Sequence, residues 1–269
     1  MLIKKGDFLI KKIDEILLKN GIDLYGFCDY LLLKDNLLEC RAKQRIPNKT
    51  KSVIVCCFPY KIFDEKPINI SRYSAVCDYH SICGEMLKKV VENLKENFSD
   101  NCFEYFIDNS PIEEVKAAVL SGVGVKGKNN LLITEKYGSY VFIGEILTDL
   151  DIPTVKNNIT YCINCNKCIA ACPTGFLKDK KNKCLSQITQ QKAELTENEK
   201  NLIIKNNTVW GCDICQEVCP LNKDKEKSNI KEFITSYRNE YKKGENIENR
   251  AFEWRGKKVI KRNYNITNE

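Results

Sequence analysis

The sequence predicts a mixed α/β domain followed by a small cysteine-rich domain and a basic C-terminal segment. Three observations support this division of the 269-residue chain. Apolar runs typical of strands alternate with helical periodicity in the first half. Eight of the 15 cysteines are grouped after residue 160, and the stretch DIPTVKNN at residues 151–158 is typical of a linker. We therefore predict domains at 1–153 and 154–225, and a basic segment at 226–269.

The elements of the first domain follow from local patterns. Apolar residues recurring every three or four positions predict helices over residues 7–18 and 79–94. A further helix is expected to begin at Pro111 and to end before the three glycines that follow Leu120, because glycine weakens helices. Short apolar runs predict buried strands over residues 52–58 and 102–108. The runs NLLIT and SYVFIGEIL flank EKYG and predict a β-hairpin.

Composition places the protein among cytoplasmic globular proteins. Hydrophobic residues make up 43% of the chain, which is ample for a buried core. Charges recur every few residues from the start, so we expect neither a signal peptide nor a membrane span. A chain of this size does not need disulfides to fold, and in a reducing compartment dense cysteine indicates metal. The net charge of +7 does not by itself identify a polyanionic partner.

The grouped cysteines have the spacing of iron–sulfur ligands. Cys162, Cys165, Cys168 and Cys172 precede a proline and match the bacterial ferredoxin run, whose fourth cysteine binds a second [4Fe–4S] cluster. The run therefore predicts two clusters. We assign one cluster to the first three cysteines together with Cys219. The ligands of the other cluster are then Cys172, Cys184, Cys212 and Cys215.

A pair of zinc sites is the alternative interpretation, because two C-x2-C pairs can form a zinc ribbon. Zinc does not explain three closely spaced cysteines with a fourth before proline. The long insert between Cys184 and Cys212 departs from a simple ferredoxin and is expected to pack on another part of the protein. The other seven cysteines have no ligand spacing, and we interpret them as buried small apolar residues.

Two clusters predict electron transfer, which requires an acceptor in the α/β domain. No G-x-G-x-x-G follows a strand, and GVGVKGK lacks the Walker spacing, so neither nucleotide fingerprint is present. The residues alone therefore predict an iron–sulfur oxidoreductase of unspecified substrate.

Several longer motifs resemble one protein family. The segments SRYSAVCDYH, IDNSPIEEVKAAVLSGVGVKGKNNLLI, GSYVFIGEILTD and WGCDICQEVCPLN, with the eight cysteines, occur in the order found in epoxyqueuosine reductases. RGKKVIKRNYNI near the end adds a weaker similarity. The resemblance implies a cobalamin-dependent enzyme with two [4Fe–4S] clusters. It would remove the epoxide oxygen from a modified tRNA base, using electrons from an external low-potential donor.

The same resemblance implies site residues. Asp108 is the candidate proton donor to the departing oxygen, although an aspartate before a helix is also a common cap. Tyr79 and His80 are expected near the active site, and a lone histidine can equally be structural. Candidate cobalamin contacts are Ser71, Tyr79, His80, Asn129 and Asp213. Lys128 could contact an anion or simply be exposed.

The chain also departs from the family pattern. Val115 replaces an arginine, Val125 stands where an aromatic residue is common, and Val76 replaces a glycine, so we expect altered pocket residues. The resemblance marks a short member without the C-terminal helical repeats. The basic residues Lys257, Lys258, Lys261 and Arg262 could bind phosphates or form a solvated tail.

Several functional alternatives stay open at this point. A tRNA substrate would be recognised through its anticodon loop, whose bases can be splayed into a protein pocket. The first rival is a corrinoid reductase acting on a small molecule. The others are a non-enzymatic ferredoxin-like carrier and a zinc-ribbon nucleic-acid binder. We expect a monomer that does not associate with membranes.

Overall fold

The computed structural model describes residues 5–154 and 157–268, so part of the predicted linker at 151–158 lies outside the described residues. The chain separates into two compact units. The first contains the described parts of Met1–Phe58, His80–Glu135 and Val141–Cys162. The second contains those of Pro59–Tyr79, Lys136–Tyr140 and Ile163–Glu269. The boundaries at 1–153, 154–225 and 226–269 divide the chain by function and stay a prediction.

Helices and strands have the following bounds. The α-helices are α1 (Lys5–Lys19), α2 (Arg72–Ala75), α3 (Tyr79–Asn97), α4 (Glu114–Leu120), α5 (Lys167–Ala171), α6 (Phe176–Asp179), α7 (Leu185–Gln190), α8 (Glu197–Lys205), α9 (Ile214–Glu217), α10 (Lys231–Ser236) and α11 (Lys257–Asn268). The strands are β1 (Tyr25–Asp29), β2 (Ser52–Pro59), β3 (Phe103–Ile107), β4 (Val125–Lys126), β5 (Leu132–Ile133) and β6 (Val141–Thr148).

A four-stranded sheet with the order β1-β2-β6-β3 forms the centre of the first unit. β1 pairs antiparallel with β2, and β3 pairs antiparallel with β6. All eight residues of β2 are buried, as expected for a central strand covered on both faces. Ala117 and Val119 of α4 pack in one apolar core with Val53, Val55 and Leu147 from the strands. This core fixes the end of β3 and the start of α4, between which Asp108 lies.

Most elements predicted in the first domain are confirmed. The helices at 7–18 and 79–94 correspond to α1 and α3, and the strands at 52–58 and 102–108 to β2 and β3. The third helix begins at Glu114 instead of Pro111. The chain still turns after β3, where the Ile112 amide donates to the Ser110 hydroxyl at 3.3 Å. The helix can begin only after this turn.

The predicted hairpin is wrong. β5 pairs with β4, whereas β6 joins the main sheet beside β2 and β3. The intervening segment is not a surface turn, because Tyr137 and Tyr140 are buried. Burying these two aromatic rings stabilises the fold more than a tight turn at EKYG would. The local sequence pattern reports only the turn preference, so it predicted a hairpin that does not form.

The second unit has two apolar cores joined to the C-terminal helix. Trp210 is fully buried among Ile70, Phe252 and Ile260 in one core. α7 and α8, which form the insert between Cys184 and Cys212, supply the other core around Ile203. α11 contacts both of these helices. The insert therefore packs on α11, as the sequence led us to expect.

The basic C-terminal residues do not form a solvated tail. Val259 and Ile260 of α11 are buried, while Lys257, Lys258 and Lys261 are exposed. Arg262 has a structural role, because its guanidinium donates to the carbonyl oxygens of Ala193 and Gln191 at 2.8 and 3.0 Å. Three lysines of this segment therefore stay candidates for phosphate contacts, and Arg262 does not.

Most of the scattered cysteines are small buried residues, as predicted. Cys28, Cys56, Cys57, Cys77 and Cys83 are buried, whereas Cys40 is half-buried and Cys102 is exposed. No helix in the part of the chain that the structure describes combines the length and the hydropathy needed to cross a membrane.

Candidate active site and cluster ligands

Asp108 stands immediately after β3 with its side chain turned out of the sheet. Its φ of 62° lies in the left-handed region, which aspartate tolerates better than most residues. The side chain is 61% exposed, and its Oδ2 lies 3.3 Å from Nε2 of His80 near the start of α3. The structure thus brings together two residues that the sequence placed in the site.

The alternative role of Asp108 as a helix cap is wrong. α4 begins at Glu114, its N-cap is Glu113, and no side chain caps it by a hydrogen bond. Asp108 precedes the helix by too many residues to reach the first free amides. Its carboxylate instead lies within hydrogen-bond distance of the His80 imidazole.

Two glutamates with buried carboxylate oxygens, Glu114 and Glu145, lie in the same unit as Asp108, and the sequence did not single them out. Burial raises the pKa of Glu114 to about 8, and the negative charge of Asp108 adds to this, while the Asp108 backbone N–H and His80 lower it. Burial also raises the pKa of Glu145 well above its ordinary value, as does the charge of Glu114. One signal was available, since Glu145 interrupts the otherwise apolar run SYVFIGEIL.

The glycine-rich loop after β4 contains a buried amide. Asn129 accepts the Leu131 N–H at 3.3 Å through Oδ1. Its Nδ2 is buried and has no hydrogen-bond partner within residues 5–154 and 157–268. Lys128 is exposed in the same loop, and Lys126 is 2.9 Å from Glu113. The loop thus presents one unsatisfied donor.

In the second unit, Ser71 and Asp213 belong to one buried polar cluster. The backbone N–H of Arg72 donates to Asp213 Oδ2 at 2.6 Å, and Gln216 Nε2 donates to Oδ1 at 3.0 Å. Burial raises the pKa of Asp213 to about 6 although the Arg72 amide lowers it. Ser71 Oγ lies 3.1 Å from Ser74 Oγ. Both predicted cofactor contacts therefore have internal partners, and their binding role stays a prediction.

Arg72 was missed by the sequence analysis, although it stands in SRYSAVCDYH. Its side chain is buried, and Nε donates to Glu217 Oε1 at 2.6 Å. The guanidinium also donates to three carbonyl oxygens, those of Phe63, Asp64 and Glu65. This arginine ties the loop before α2 to α9, which carries Cys215. Tyr79, the first residue of α3, is half-buried.

Seven of the eight grouped cysteines lie in the second unit, and Cys162 is the last residue of the first. Burial raises the pKa of Cys212 to about 12, and Cys184 and Cys172 add to the increase. Burial likewise raises the pKa of Cys215 to about 12, with contributions from Cys212, Cys184 and Cys168. Such mutual effects require the thiols to be close together. These thiols, which include Cys168 and Cys172 as well as Cys184, Cys212 and Cys215, therefore lie near one another.

Cys172 differs from these thiols. Partial burial raises its pKa, but backbone N–H groups and the Thr174 hydroxyl outweigh that effect and lower it overall. Hydrogen bonds of this kind favour a thiolate, which is the form that binds metal. No three described histidine, cysteine or carboxylate side chains form a group that could hold a metal ion as the chain stands.

Two departures from the family pattern are core positions. Val76 is fully buried after α2 in the second unit, and Val115 packs against the apolar core of the first. Val125 is half-buried in β4. The expectation that these changes alter a pocket stays a prediction.

Two family models match the chain. The one described as 4Fe-4S double cluster binding domain covers residues 161–222, and the one described as Epoxyqueuosine reductase QueG, DUF1730 covers residues 41–109. The first confirms the prediction of a double-cluster domain. The second covers the motif containing His80 and ends just after Asp108.

Individual proteins match over longer stretches. Epoxyqueuosine reductase of Listeria monocytogenes is 32% identical over 288 residues, which cover 90% of this chain and 76% of that protein. Epoxyqueuosine reductase of Cyclobacterium marinum is 34% identical over 193 residues, or 67% of this chain and 61% of that protein. The chain thus spans less than two thirds of this second relative.

A solved structure matches almost the whole chain. It is a crystal structure of epoxyqueuosine reductase with a tRNA-Tyr epoxyqueuosine-modified tRNA stem loop. The TM-score is 0.80 at 26% identity, with 97% of this chain and 80% of that chain covered.

Proposed function

The chain belongs to the epoxyqueuosine reductase family, and we propose that it reduces epoxyqueuosine to queuosine in tRNA. One observation supports this reaction above all. In a chain that matches the family over 90% of its length, the Asp108 carboxylate and the His80 imidazole lie 3.3 Å apart at the end of a core strand. An acid in this position can protonate an oxygen as its bond to carbon breaks.

The reaction sets the requirements on the site. Removing an epoxide oxygen to leave an alkene consumes two electrons and two protons, and the oxygen departs as water. Asp108 transfers a proton to that oxygen, and His80 orients the carboxyl group through their hydrogen bond. The exposed position of Asp108 suits a substrate base presented on a flexible RNA loop.

We assign the electrons to two [4Fe–4S] clusters. By spacing, Cys162, Cys165, Cys168 and Cys219 hold one cluster, and Cys172, Cys184, Cys212 and Cys215 hold the other. The proximity of the last four thiols is consistent with that set, and Cys168 of the first set also lies near Cys215. The electrons that enter the clusters come from an external low-potential donor. The three-part division at 1–153, 154–225 and 226–269 follows from these roles.

The residues also fit a corrinoid. Cobalamin carries carboxamide groups, whose oxygens are acceptors for a buried donor such as Asn129 Nδ2, which has no partner among the described residues. When bound, the cofactor would supply the reduced cobalt that reacts with the substrate. Asn129 and His80 are the residues that we expect beside it. Ser71, Tyr79 and Asp213 are weaker candidates, since Ser71 and Asp213 have internal partners.

The substrate places the enzyme in the cytoplasm, where tRNA is modified. The relative that was crystallised with a tRNA stem loop supports an RNA partner. Val76 is fully buried and Val115 packs against an apolar core, so neither residue by itself favours a small-molecule substrate. We therefore retain tRNA as the substrate class.

Nucleoside analysis of tRNA tests the proposal. The chain is expressed in a bacterial strain that lacks its own epoxyqueuosine reductase, and digested tRNA is analysed by mass spectrometry. We expect queuosine to replace the accumulated epoxyqueuosine, with the empty vector as control. Epoxyqueuosine that persists although the expressed protein carries its clusters would contradict the proposed function.

A further inference from the structure

Three carboxylate oxygens in the first unit are buried without hydrogen-bond partners among the described residues. They are Oε1 of Glu114 and both side-chain oxygens of Glu145. Glu145 is fully buried in β6, opposite Phe106 of β3. Buried polar atoms in proteins are nearly always satisfied, so three orphaned oxygens in one place require an explanation. An ionised carboxylate in such a position would be very costly.

The surroundings of the pair contain little positive charge. The Cys28, Cys56 and Cys57 thiols of β1 and β2 are close enough for Glu145 to raise the pKa of each. The Ser110 hydroxyl is near enough to lower the pKa of Glu145, but it does not form a hydrogen bond with either carboxyl oxygen. Among the groups that set the two glutamate pKa values, only His80 can carry a positive charge, and it acts on Glu114 alone.

The pair is therefore protonated at neutral pH. A pKa of about 8 means that Glu114 keeps its proton until the pH rises through that value. Glu145 ionises later, because the charge that forms on Glu114 raises the pKa of Glu145 further. Glu114 is thus the carboxyl group of the two that can release a proton under working conditions.

Glu114 is also in contact with the proposed acid. The backbone N–H of Asp108 donates a hydrogen bond to the Glu114 carboxylate, and the charges of the two side chains interact. Asp108 in turn contacts His80 at 3.3 Å. A line of acidic groups therefore runs from the buried Glu145 through Glu114 to the exposed Asp108.

We propose that Glu114 supplies the second proton of the reaction by reprotonating Asp108. The inference rests on the proposed function. Asp108 gives its proton to the oxygen whose bond to carbon breaks, and Glu114 then transfers its proton to the Asp108 carboxylate. Asp108 protonates the resulting hydroxyl, which leaves as water, while the two electrons come from the clusters and their external donor. Glu114 regains a proton from solvent after product release.

In this scheme Glu114 does not touch the substrate. It supplies a proton to Asp108, which transfers it to the substrate. Glu145 stays neutral, because burial and the charge that forms on Glu114 both raise its pKa. A purely structural role makes a different prediction. Glutamine has the shape of a neutral glutamic acid, so it would satisfy a structural requirement, but it cannot release a proton at these pH values.

Infrared spectroscopy of the cofactor-free protein tests the stored proton independently of turnover. We expect protonated-carboxyl absorption at pH 7 with two components, one of which is lost as the pH rises through about 8 while the component of Glu145 remains. The component that is lost should be absent in Glu114→Gln. It should persist in the control Glu113→Gln, whose carboxylate pairs with Lys126. A wild-type spectrum that loses no protonated-carboxyl component near pH 8, or a component that is still lost there in Glu114→Gln, would overturn the inference.

The pH profile of turnover tests the transfer. The wild-type rate should fall above pH 8, because the donor must be protonated. In Glu114→Gln the rate at pH 7 should drop about 10- to 100-fold and the alkaline decline should vanish, with clusters still bound. Glu114→Asp keeps a titratable group and should recover part of the rate together with the alkaline decline.

The remaining outcomes separate the two proposals. If wild type converts epoxyqueuosine and Glu114→Gln matches it in rate and pH profile, the inference is wrong and the proposed function stands. If wild type fails to convert epoxyqueuosine, the proposed function fails and the transfer step fails with it, whatever the infrared spectrum shows.

Discussion

Asp108 has two roles, because it adopts the left-handed backbone conformation of the turn after β3 and presents a carboxylate to the candidate site. The chain must turn sharply after β3, since the Asn109 amide donates to the Ile107 carbonyl oxygen at 2.8 Å. That turn requires a left-handed conformation, which costs most residues energy but is accessible to aspartate and asparagine. The same turn leaves the carboxylate exposed beside His80. A backbone constraint therefore places the acid where a substrate can reach it.

Replacing Asp108 by asparagine should separate these two roles. Asparagine tolerates the left-handed φ of 62°, so the fold, the clusters and cobalamin binding should be kept. The variant cannot donate the proton, and we expect the rate of queuosine formation to fall by a factor of about 100 or more.

Anaerobic turnover assays and the visible spectrum of the clusters measure both effects for Asp108→Asn. The exposed Asp35→Asn in the same unit serves as the control. An Asp108→Asn variant that forms queuosine at the wild-type rate would refute the role of Asp108 as proton donor.

At the scale of elements, the turn at Gly211 joins the insert to the start of α2. The Ser71 amide donates to the Trp210 carbonyl oxygen at 2.8 Å, and the Gly211 amide donates to the Thr189 hydroxyl at 2.9 Å. A Cβ at Gly211 would lie 2.0 Å from Ser71 Oγ. Cys212 follows directly, so this close contact helps to fix the position of a cluster ligand.

Gly211→Ala should therefore be much more damaging than an ordinary change at a left-handed glycine. We expect a loss of about 2–4 kcal/mol in the free energy of unfolding, from the left-handed φ of 74° together with the overlap. Gly244→Ala is the matched control, because Gly244 has a φ of 79° but nothing within 4 Å of an added Cβ.

Urea unfolding under anaerobic conditions measures both glycine variants. We expect the control to lose only about 1 kcal/mol, which is the conformational part alone. Equal losses in the two variants would show that the contact with Ser71 does not constrain the turn.

At the scale of the molecule, the net charge of +7 is modest, but several lysines lie close together on α11. Lys257 and Lys261 line a surface cavity of about 520 Å³ together with Tyr241, Tyr264 and neighbouring polar residues. The buried face of the same helix packs in the core of the second unit. A helix anchored in this way holds its exposed lysines in a defined position, as an electrostatic contact with RNA phosphates requires.

The double variant Lys257→Gln/Lys261→Gln should weaken tRNA binding without changing the clusters. If both lysines contact phosphates, the slope of log affinity against log salt should become shallower by about 1.5. Lys88→Gln/Lys89→Gln removes two exposed charges from α3 and should leave the slope unchanged. Filter binding across a salt series measures this, and equal slopes in both double variants would contradict a role of α11 in binding tRNA.

Local patterns in the sequence were sufficient for some features of this protein. The cysteine spacing predicted a double-cluster domain because the ligands of such clusters lie close together along the chain. Periodicity predicted α1, α3, β2 and β3 because apolar faces repeat within each element. The motifs around Asp108 and His80 indicated the family before any geometry was available.

Other features depended on contacts between residues far apart in the chain. The predicted hairpin does not form, because burial of Tyr137 and Tyr140 outweighs a local turn preference. Asp108 does not cap α4, because the chain turns again before the helix begins at Glu114. Glu114 and Glu145 are ordinary glutamates in the sequence. They become a protonated pair only where α4 packs on β6, because desolvation, which shifts their pKa values, is a property of the tertiary structure.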